Sequence, residues 1–343
     1  MIWPGRRVAG VVAAWCCTAA LAVALAGASS GAGPNLARTE PVLTSAGGVP
    51  GAEFGAYEWN TSTWWPSAPA YAPTLARLQA LGVDTLYVDI TEAVTLTQHR
   101  SSQLAPFLAG FAGLVSEADA DGFRVDAVGG DPKWATTRPQ GPAQLLAALA
   151  RVEAQLPAGA LDGVQFDVEP WGTSSWRRHA VADTEDWLRF VQTTVADWQR
   201  DGLTGSLGFT VPYWFDGATG GVPEVTFAGA TSYPFQLSLG LLAPLPDTVL
   251  DVMAYRNTVT GSNGSEALFD TNLQAVVAAG SHTTLLFGQE TGDVKPRSIT
   301  FYGLGCAALQ SAAAQIGSAF DGAAGYGGIA VDDVETLLSL CPA

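Results

Sequence analysis

Two carboxylates, two residues apart, form the part of this sequence whose spacing most directly predicts chemistry. Residues 161–170 read LDGVQFDVEP and alternate apolar with polar side chains, the period of a β-strand with two different faces. Asp167 and Glu169 therefore share one face, with Cα atoms about 7 Å apart at the usual strand rise. We expect the strand to end at Pro170, which cannot donate a ladder hydrogen bond, and to leave Glu169 at its carboxyl tip. Such a pair is suited to breaking a glycosidic bond.

The remaining side chains of this segment fit the same interpretation. The apolar face is predicted to pack against helices, and it consists of Val164, Phe166 and Val168. The polar face must look toward water, a cavity or a substrate. A simpler alternative is an edge strand with solvated acids, or acids that cap the next helix.

Aromatic and polar residues follow the other strand-like segments as well, and together they predict a saccharide cleft. The tryptophans at or just after predicted strand ends are Trp59, Trp64, Trp65, Trp134, Trp171 and Trp214. Core packing is the default role of tryptophan, but this placement also suits faces that stack on sugar rings. The candidate substrate-binding residues are Trp59, Gln165, Trp171, Tyr213, Trp214, Arg256, Glu290 and Asp332.

Strand and helix patterns alternate eight times, which predicts one (β/α)₈ TIM-barrel domain. The predicted strands are 54–59, 85–90, 124–130, 163–170, 206–214, 249–255, 284–291 and 326–332. The predicted helices include 71–81, 104–121, 142–155, 184–202, 266–279 and 305–320. A doubly wound open sheet is the alternative, but no glycine-rich phosphate fingerprint follows the first strand. The long connection 215–247 is expected to carry small elements of its own over the active face.

The amino-terminal residues predict export. Arg6 and Arg7 precede an apolar run that ends in the small residues 26–28, which is typical of a cleaved signal peptide over 1–28. A membrane-spanning helix is the alternative, and the arginine pair leaves both Sec and twin-arginine export open. Residues 29–51, rich in Gly, Ala, Pro and Ser, are expected to form a disordered leader, so that 52–343 would be the secreted barrel domain.

Composition narrows the expected partners. The formal net charge of −16 disfavours nucleic acid and anionic membranes as partners. His99, His179 and His282 lack the spacing of metal ligands, so we expect no metal and no cofactor. Cys306 and Cys341 remain after signal cleavage and predict one disulfide in an oxidising compartment, with two buried thiols as the alternative. We expect a monomer that acts on a carbohydrate.

Three segments resemble family 18 glycoside hydrolases, the chitinase family. Residues 162–169, DGVQFDVE, are similar to the fourth-strand pattern D-G-x-D-x-D-x-E of that family. Residues 127–130, AVGG, are similar to its third-strand S-x-G-G, and residues 253–255, MAY, to its sixth-strand M-x-Y. The resemblance implies that Glu169 is the general acid and that Asp167 orients a substrate acetamido group, which itself attacks the anomeric carbon. Tyr255 would hydrogen-bond that acetamido oxygen.

The chain also departs from the family pattern at several positions. Gln165 replaces an aspartate that normally accepts charge from its inner neighbour, and Ala127 replaces the third-strand serine. Arg256 follows the tyrosine where the family often has an acid. The eighth predicted strand, 327–332, lacks the tryptophan that usually forms the floor of the catalytic subsite.

Two other functions remain open from the sequence. In retaining glycosidases of the cellulase-like clan, an acid/base and a nucleophile stand at the ends of strands four and seven, roughly 5–5.5 Å apart, which here would be Glu169 and Glu290. Glu290 would then form a covalent glycosyl-enzyme. A sugar-binding barrel without catalysis is the third possibility, although such relatives typically lack the fourth-strand acid.

Overall fold

The protein was analysed as a computed structural model, which describes residues 52–61 and 71–342. The predicted signal peptide at 1–28, the predicted leader at 29–51, and Trp64 and Trp65 lie outside the described residues.

Eight parallel strands close into a barrel, which confirms the predicted single-domain (β/α)₈ fold. In chain order the strands are β1 Glu53–Glu58, β2 Thr85–Asp89, β3 Arg124–Gly129, β4 Gly163–Phe166, β5 Ser206–Pro212, β6 Val225–Phe227, β7 Ala230–Ser232, β8 Thr248–Met253, β9 Thr284–Glu290 and β10 Tyr326–Asp332. The closed order is β1-β10-β9-β8-β5-β4-β3-β2, and β6 and β7 form a separate antiparallel hairpin. All eight barrel strands thus direct their carboxyl ends to one rim, where barrels of this type hold their active sites.

Helices cover the outside of the barrel. They are α1 Ala72–Ala80, α2 Glu92–Gln98, α3 Leu104–Ala120, α4 Gly141–Glu153, α5 Trp176–Asp201, α6 Pro234–Leu242, α7 Ser265–Ala279, α8 Cys306–Phe320 and α9 Val334–Leu340. Three of them, α2, α6 and α9, were not among the predicted helices; each has only seven or nine residues, too few for a clear apolar period. Helix α5 begins eight residues earlier than predicted and is interrupted by the non-helical backbone of His179.

The predicted ends of three strands were wrong in the same direction. Strand β4 stops at Phe166 rather than at Pro170, because Glu169 leaves the extended conformation (φ −108°, ψ 72°) and Pro170 begins a short 3₁₀ helix. Tyr213 and Trp214 likewise belong to a 3₁₀ helix after β5, and Tyr255 follows the end of β8. The residues nearest the rim curl away from the ladder, so these side chains stand on loops just beyond the strands.

The faces of β4 follow the predicted alternation. Val164, Phe166 and Val168 are buried in the main core between sheet and helices. The Phe166 ring packs against Phe190 of α5, with centroids 5.8 Å apart, and stacks with Phe209 of β5 at 5.7 Å. Gln165 points the other way, into the barrel, where its amide reaches Thr210 of β5. The polar face therefore looks into the barrel interior.

The connection 215–247 carries its own elements, as expected: the β6–β7 hairpin and α6. Cys306 and Cys341 form the predicted disulfide, which joins the start of α8 to the residue after α9. In the part of the chain that the structure describes, no helix has both the length and the apolar character to cross a membrane.

Candidate active site

Four carboxyl groups from three strands converge at the carboxyl-end rim. Asp167 and Glu169 follow β4, while Glu290 ends β9 and Asp332 ends β10. The charges of Asp167, Asp332 and Glu290 all act on Glu169, which requires the four groups to lie close together. The structure thus brings both predicted β4 acids together with two of the predicted substrate-binding acids.

Glu169 lies where its protonated form is favoured. Burial raises the pKa of its carboxyl well above the usual range, and the charge of Asp167 raises it further. Among the described residues, no donor hydrogen-bonds its side chain and no Lys or Arg forms an ion pair with it. An acid in this environment can keep its proton at neutral pH and donate it to a departing oxygen.

Asp167 is fixed by close backbone packing and by a hydroxyl. Its backbone N–H donates to Gly129 O at 3.1 Å, and its own carbonyl lies so close to Gly130 that a Cβ there would come within 1.6 Å of the oxygen. Burial raises the pKa of Asp167 to about 7, the charge of Asp332 adds to this, and a hydrogen bond with the Thr210 side chain opposes it. Asp167 is therefore partly ionised at neutral pH.

Glu290 and Asp332 form a second pair beside the first. The Gly292 N–H donates to Glu290, and the Glu290 and Asp332 side chains are hydrogen-bonded to each other. Burial, followed by the charge of Asp332, raises the pKa of Glu290 to about 9. Glu290 is 7% exposed, and a pKa raised in this way favours its neutral form at pH 7.

Trp59 follows the end of β1 and lies at the rim beside Asp332. Its indole N–H donates to Asp332 Oδ1 at 2.7 Å, so β1 and β10 are joined at the rim. Its ring stacks on Tyr57 with centroids 5.2 Å apart, and Tyr57 stacks in turn on Tyr87 at 4.6 Å. The result is a column of three aromatic rings inside the barrel, of which only Trp59 remains partly exposed.

Tyr255 belongs to the acid cluster, whereas Arg256 turns away from it. Burial raises the pKa of Tyr255 well above its usual range. The charges of nearby carboxyls raise it further, so the phenol lies among these groups, which are Asp332, Asp251, Glu290 and Glu169. The Arg256 guanidinium donates to Tyr255 O at 2.7 Å and to Tyr213 and Asn263, both at 3.2 Å. Arg256 thus orders the loop after β8 and ties it to Tyr213.

Trp171 and Trp214 stand at the edge of an aromatic cluster next to the β4 loop. Their rings pack edge to face at 6.2 Å, and both lie against Phe215, at 4.9 and 5.1 Å. Trp176 and Trp187 complete the cluster and are buried, whereas Trp171 and Trp214 are partly exposed. Trp134, by contrast, is a core residue, 3% exposed and packed against Phe166.

Gln165 lies beneath the site rather than in the open part of the cleft. Its side chain is 1% exposed, and its amide donates to Thr210 Oγ1 at 3.3 Å. A Cβ on Gly208 of β5 would lie 1.7 Å from Gln165 Oε1, so this glycine makes room for the amide. Gln165 therefore supports the residues around Asp167 and has no exposed surface for a ligand.

Sequence reasoning missed three residues that belong to this arrangement: Tyr57, Thr210 and Asp251. All three side chains are buried inside the barrel, and the Tyr57 hydroxyl donates to Asp251 Oδ2 at 2.6 Å. The available signal was the acid in the otherwise apolar run VLDVM of β8, because an acid is buried in a strand only when it is paired or functional.

The acids do not form a metal-binding arrangement: within residues 52–61 and 71–342, no group of three or more His, Cys, Asp or Glu side chains is placed to hold a metal ion. Asp131, which follows β3, has a structural role. Asp131 accepts from Lys133 N at 2.9 Å and pairs with Arg138 at 3.6 Å, so it caps a short helix.

Comparisons with known proteins agree with the barrel fold. No protein-family model matches the sequence, and no curated protein is significantly similar to it. The structure is similar to a GH18 chitinase from Pseudoalteromonas aurantia, at 10% identity and a TM-score of 0.50, over 82% of this chain and 94% of that one. It also matches the endo-β-1,4-glucanase Xac0029 from Xanthomonas axonopodis pv. citri, at 14% identity and a TM-score of 0.49, over 82% and 87% of the two chains. At 10% identity, the likeness to the chitinase structure shows the fold alone.

Proposed function

We propose that the protein is a glycoside hydrolase with Glu169 as its general acid. The observation that carries this proposal is the buried Glu169 near Asp167 at the carboxyl-end rim, where burial and the charge of Asp167 raise its pKa. Hydrolysis of a glycosidic bond needs a proton donor at the leaving oxygen and a negatively charged or nucleophilic partner at the anomeric carbon. Glu169 and Asp167 supply groups of these two kinds from adjacent positions on one loop.

The substrate-assisted scheme fits these residues best. Asp167 would orient the acetamido group of the sugar and stabilise the positive charge that forms as this group attacks the anomeric carbon. Tyr255, whose phenol keeps its proton, would donate a hydrogen bond to the acetamido oxygen. Glu169 would give its proton to the departing oxygen and then, as a carboxylate, activate the water that opens the intermediate.

The two-glutamate scheme is the second candidate, and the state of Glu290 argues against it. A carboxyl that attacks the anomeric carbon must be ionised. Glu290 has a pKa raised to about 9 and shares a hydrogen bond with Asp332, so its neutral form dominates at pH 7. We therefore assign Glu290, with Asp332, to the shape of a sugar subsite.

Trp59 is our candidate for the floor of that subsite. The chitinase-family pattern has a tryptophan on the eighth strand, which residues 327–332 of this chain lack. Asp332 instead holds the indole of Trp59 from β1, so a tryptophan reaches the same edge of the barrel from the neighbouring strand. Trp171 and Trp214 could extend the cleft on the β4–β5 side, where their partly exposed rings can stack on sugars.

We also propose that the enzyme is exported and acts as a monomer on a carbohydrate. The Cys306–Cys341 disulfide supports an oxidising compartment, as does the signal-like segment at 1–28. Mass spectrometry of the mature amino terminus from the culture medium tests export.

The decisive experiment compares two inhibitors on wild-type protein. A thiazoline analogue of an acetamido sugar mimics the intermediate of the substrate-assisted scheme and should inhibit glycan cleavage competitively. A fluorinated mechanism-based glycoside should leave the protein unlabelled. Covalent labelling of Glu290, seen by peptide mass spectrometry, would instead establish the two-glutamate scheme. Glycan binding without any hydrolysis would indicate a sugar-binding barrel.

A further inference from the structure

Asp251 is a buried carboxyl that has no role in the mechanism proposed above. It points into the barrel from the middle of β8 and is 1% exposed. Its Oδ2 accepts the Tyr57 hydroxyl at 2.6 Å, while its Oδ1 has no hydrogen-bond partner among the described residues. A Cβ on Gly288 of β9 would lie 3.1 Å from this Oδ1, so a glycine leaves space at its side.

Strand register connects Asp251 to Asp167 through Thr210. Thr210 of β5 and Asp251 of β8 are direct partners in the ladder, so their side chains enter the barrel at the same level. The Thr210 hydroxyl lies near both Asp167 and Tyr57, where it opposes the rise in the pKa of each, and its Oγ1 accepts the Gln165 amide at 3.3 Å. A chain of hydroxyls thus runs from Asp167 through Thr210 and Tyr57 to Asp251.

We propose that Asp251 is a positioning residue for Asp167, with which it exchanges one proton through the hydroxyls of Thr210 and Tyr57. This inference rests on the proposed function. It assigns to β8 the role that the chitinase-family pattern gives to the β4 residue replaced here by Gln165. In the exchange, Asp167 gives its proton to Thr210, Thr210 passes its own to Tyr57, and Tyr57 passes its own to Asp251. The products are an ionised Asp167 and a neutral Asp251, so protons and charge balance.

The electrostatics of the pair favour such sharing. Burial raises the pKa of both Asp167 and Asp251 to about 7. Two carboxyls in one apolar interior resist simultaneous ionisation, so the pair holds a single negative charge over a range of pH. The exchange lets that charge move to Asp167 when positive charge develops on the sugar.

Other ionisable groups surround Asp167 and Asp251. Those that act on one or both carboxyls are Tyr57 of β1, Asp89 of β2, Glu169 after β4, Tyr255 after β8 and Asp332 of β10. None of these groups is a cation. Tyr57 hydrogen-bonds Asp251, and Thr210 lies near Asp167 and Tyr57, so these two hydroxyls form the link that we propose.

The test is a titration of the Asp167 carboxyl by ¹³C NMR, in parallel with the pH profile of kcat/KM. The Asp167 signal is assigned by its loss in Asp167→Asn. In the wild type we expect Asp167 to titrate in two steps. In Asp251→Asn it should titrate in one step, with a midpoint lower by about one pH unit, because a like charge has been removed. The acidic limb of kcat/KM should move by the same amount, which is tenfold in rate on that limb.

Three further variants make the result specific. Asp126→Asn changes another buried acid, at the opposite end of the barrel, and should leave the Asp167 titration unchanged. Gln165→Asp combined with Asp251→Asn returns a carboxyl to β4 and should restore the two steps. If Asp251→Asn fails to fold, Tyr57→Phe keeps the ring and removes the hydrogen bond to Asp251, so Asp251 stays neutral and Asp167 should again titrate in one step.

An Asp167 titration identical in the wild type and in Asp251→Asn would overturn the inference. Failure of the proposed function gives a different result. In that case Asp251→Asn alters the Asp167 titration as described, while the wild type cleaves no glycan at any pH.

Discussion

The two ends of the barrel both contain buried acids, but only one end has the properties of a site. At the amino-terminal end, Glu53 and Asp126 have pKa values raised to about 8 and about 7, chiefly by burial. At the carboxyl-terminal end, burial raises the pKa values of Asp167 and Glu290 to about 7 and about 9. A raised pKa therefore does not by itself distinguish a catalytic acid from a structural one.

The difference lies in the partners of these acids. At the amino-terminal end, Arg124 reaches Glu53 and Asp162, both at 3.6 Å, and Asp162 accepts the Val125 N–H at 2.8 Å. These acids are used to hold strand ends in place. At the other end, no Lys or Arg of the described residues pairs with Asp167, Glu169 or Glu290, and the partly exposed Trp59 donates to the neighbouring acid Asp332. Acids without cationic partners, beside a surface that a ligand can reach, therefore distinguish the candidate active site from the structural end of the barrel.

The largest effect is expected for Glu169→Gln compared with Asp126→Asn. Glu169→Gln keeps the shape of the side chain but removes its proton, so glycan cleavage should fall by about 10²–10⁴-fold. Asp126→Asn should leave the rate within about twofold, since this acid lies at the far end of the barrel. Reducing-end release measures both variants, and circular dichroism checks their folding. Full activity in Glu169→Gln would show that Glu169 is not the general acid.

Asp167→Ala and Glu290→Ala compare the roles of two acids at the carboxyl-terminal end of the barrel. Loss of Asp167 removes the charge that stabilises the transition state and should lower kcat by about 10²–10³-fold. Loss of Glu290 should mainly raise KM, because this acid shapes a subsite. Steady-state kinetics on a chromogenic glycoside separates the two effects, and the reverse order would favour the two-glutamate scheme.

The disulfide allows stability to be separated from chemistry. Cys306 begins α8, which follows β9, and Cys341 is the residue after α9, which follows β10. Glu290 and Asp332 end these two strands. Replacing both cysteines by serine should lower the free energy of unfolding by about 3–4 kcal/mol, as expected for a separation of 35 residues. Denaturant unfolding measures the loss. The pH profile of activity should keep its shape, and a displaced limb would connect the disulfide to the acids.

The last prediction concerns how the free energy of unfolding depends on pH. Glu290 binds its proton more tightly in the folded protein, so its neutral form stabilises the fold at low pH. This contribution is lost as pH rises from about 4.5 toward about 9. Glu290→Gln should therefore match the wild type at pH 4 and be more stable than the wild type at pH 9. Thermal unfolding at both pH values provides the measurement.

Glu53→Gln is the matched control at the amino-terminal end. Its acid also has a raised pKa, but the substitution leaves Arg124 without one of its ion-pair partners. Because the pKa of Glu53 is raised less than that of Glu290, its gain in stability between pH 4 and pH 9 should be the smaller of the two. Equal gains in the two variants would mean that the two ends of the barrel do not differ as described.

Much of the fold could be predicted because each strand carries a local signal. The apolar run of β9 and the alternation of β4 indicate strands without any knowledge of their neighbours. The end of β4 could not be predicted in this way, since the curl of 167–170 depends on its packing against Gly129 and Gly130. The same limit explains why Tyr213 and Tyr255 were predicted within strands.

The candidate site was predictable at its rim and not at its base. Glu169 and Asp167 follow from spacing alone. The hydrogen bond from Tyr57 to Asp251 joins residues 194 positions apart, and the level shared by Thr210 and Asp251 depends on the register of two strands. Such pairings become visible only when the barrel is closed, because the sequence does not state which inward-facing residues occupy the same layer.

Gly130 sets a boundary for anyone who wishes to evolve this protein in the laboratory. Its α-hydrogen occupies the only space left beside the Asp167 carbonyl, and every other amino acid would bring a carbon to within 1.6 Å of that oxygen. A mutant library that randomises the loop after β3 will therefore recover working clones only with glycine at this position. Diversity for new substrates is better placed at Trp214, whose ring is partly exposed and which lies on a different loop from the acid pair.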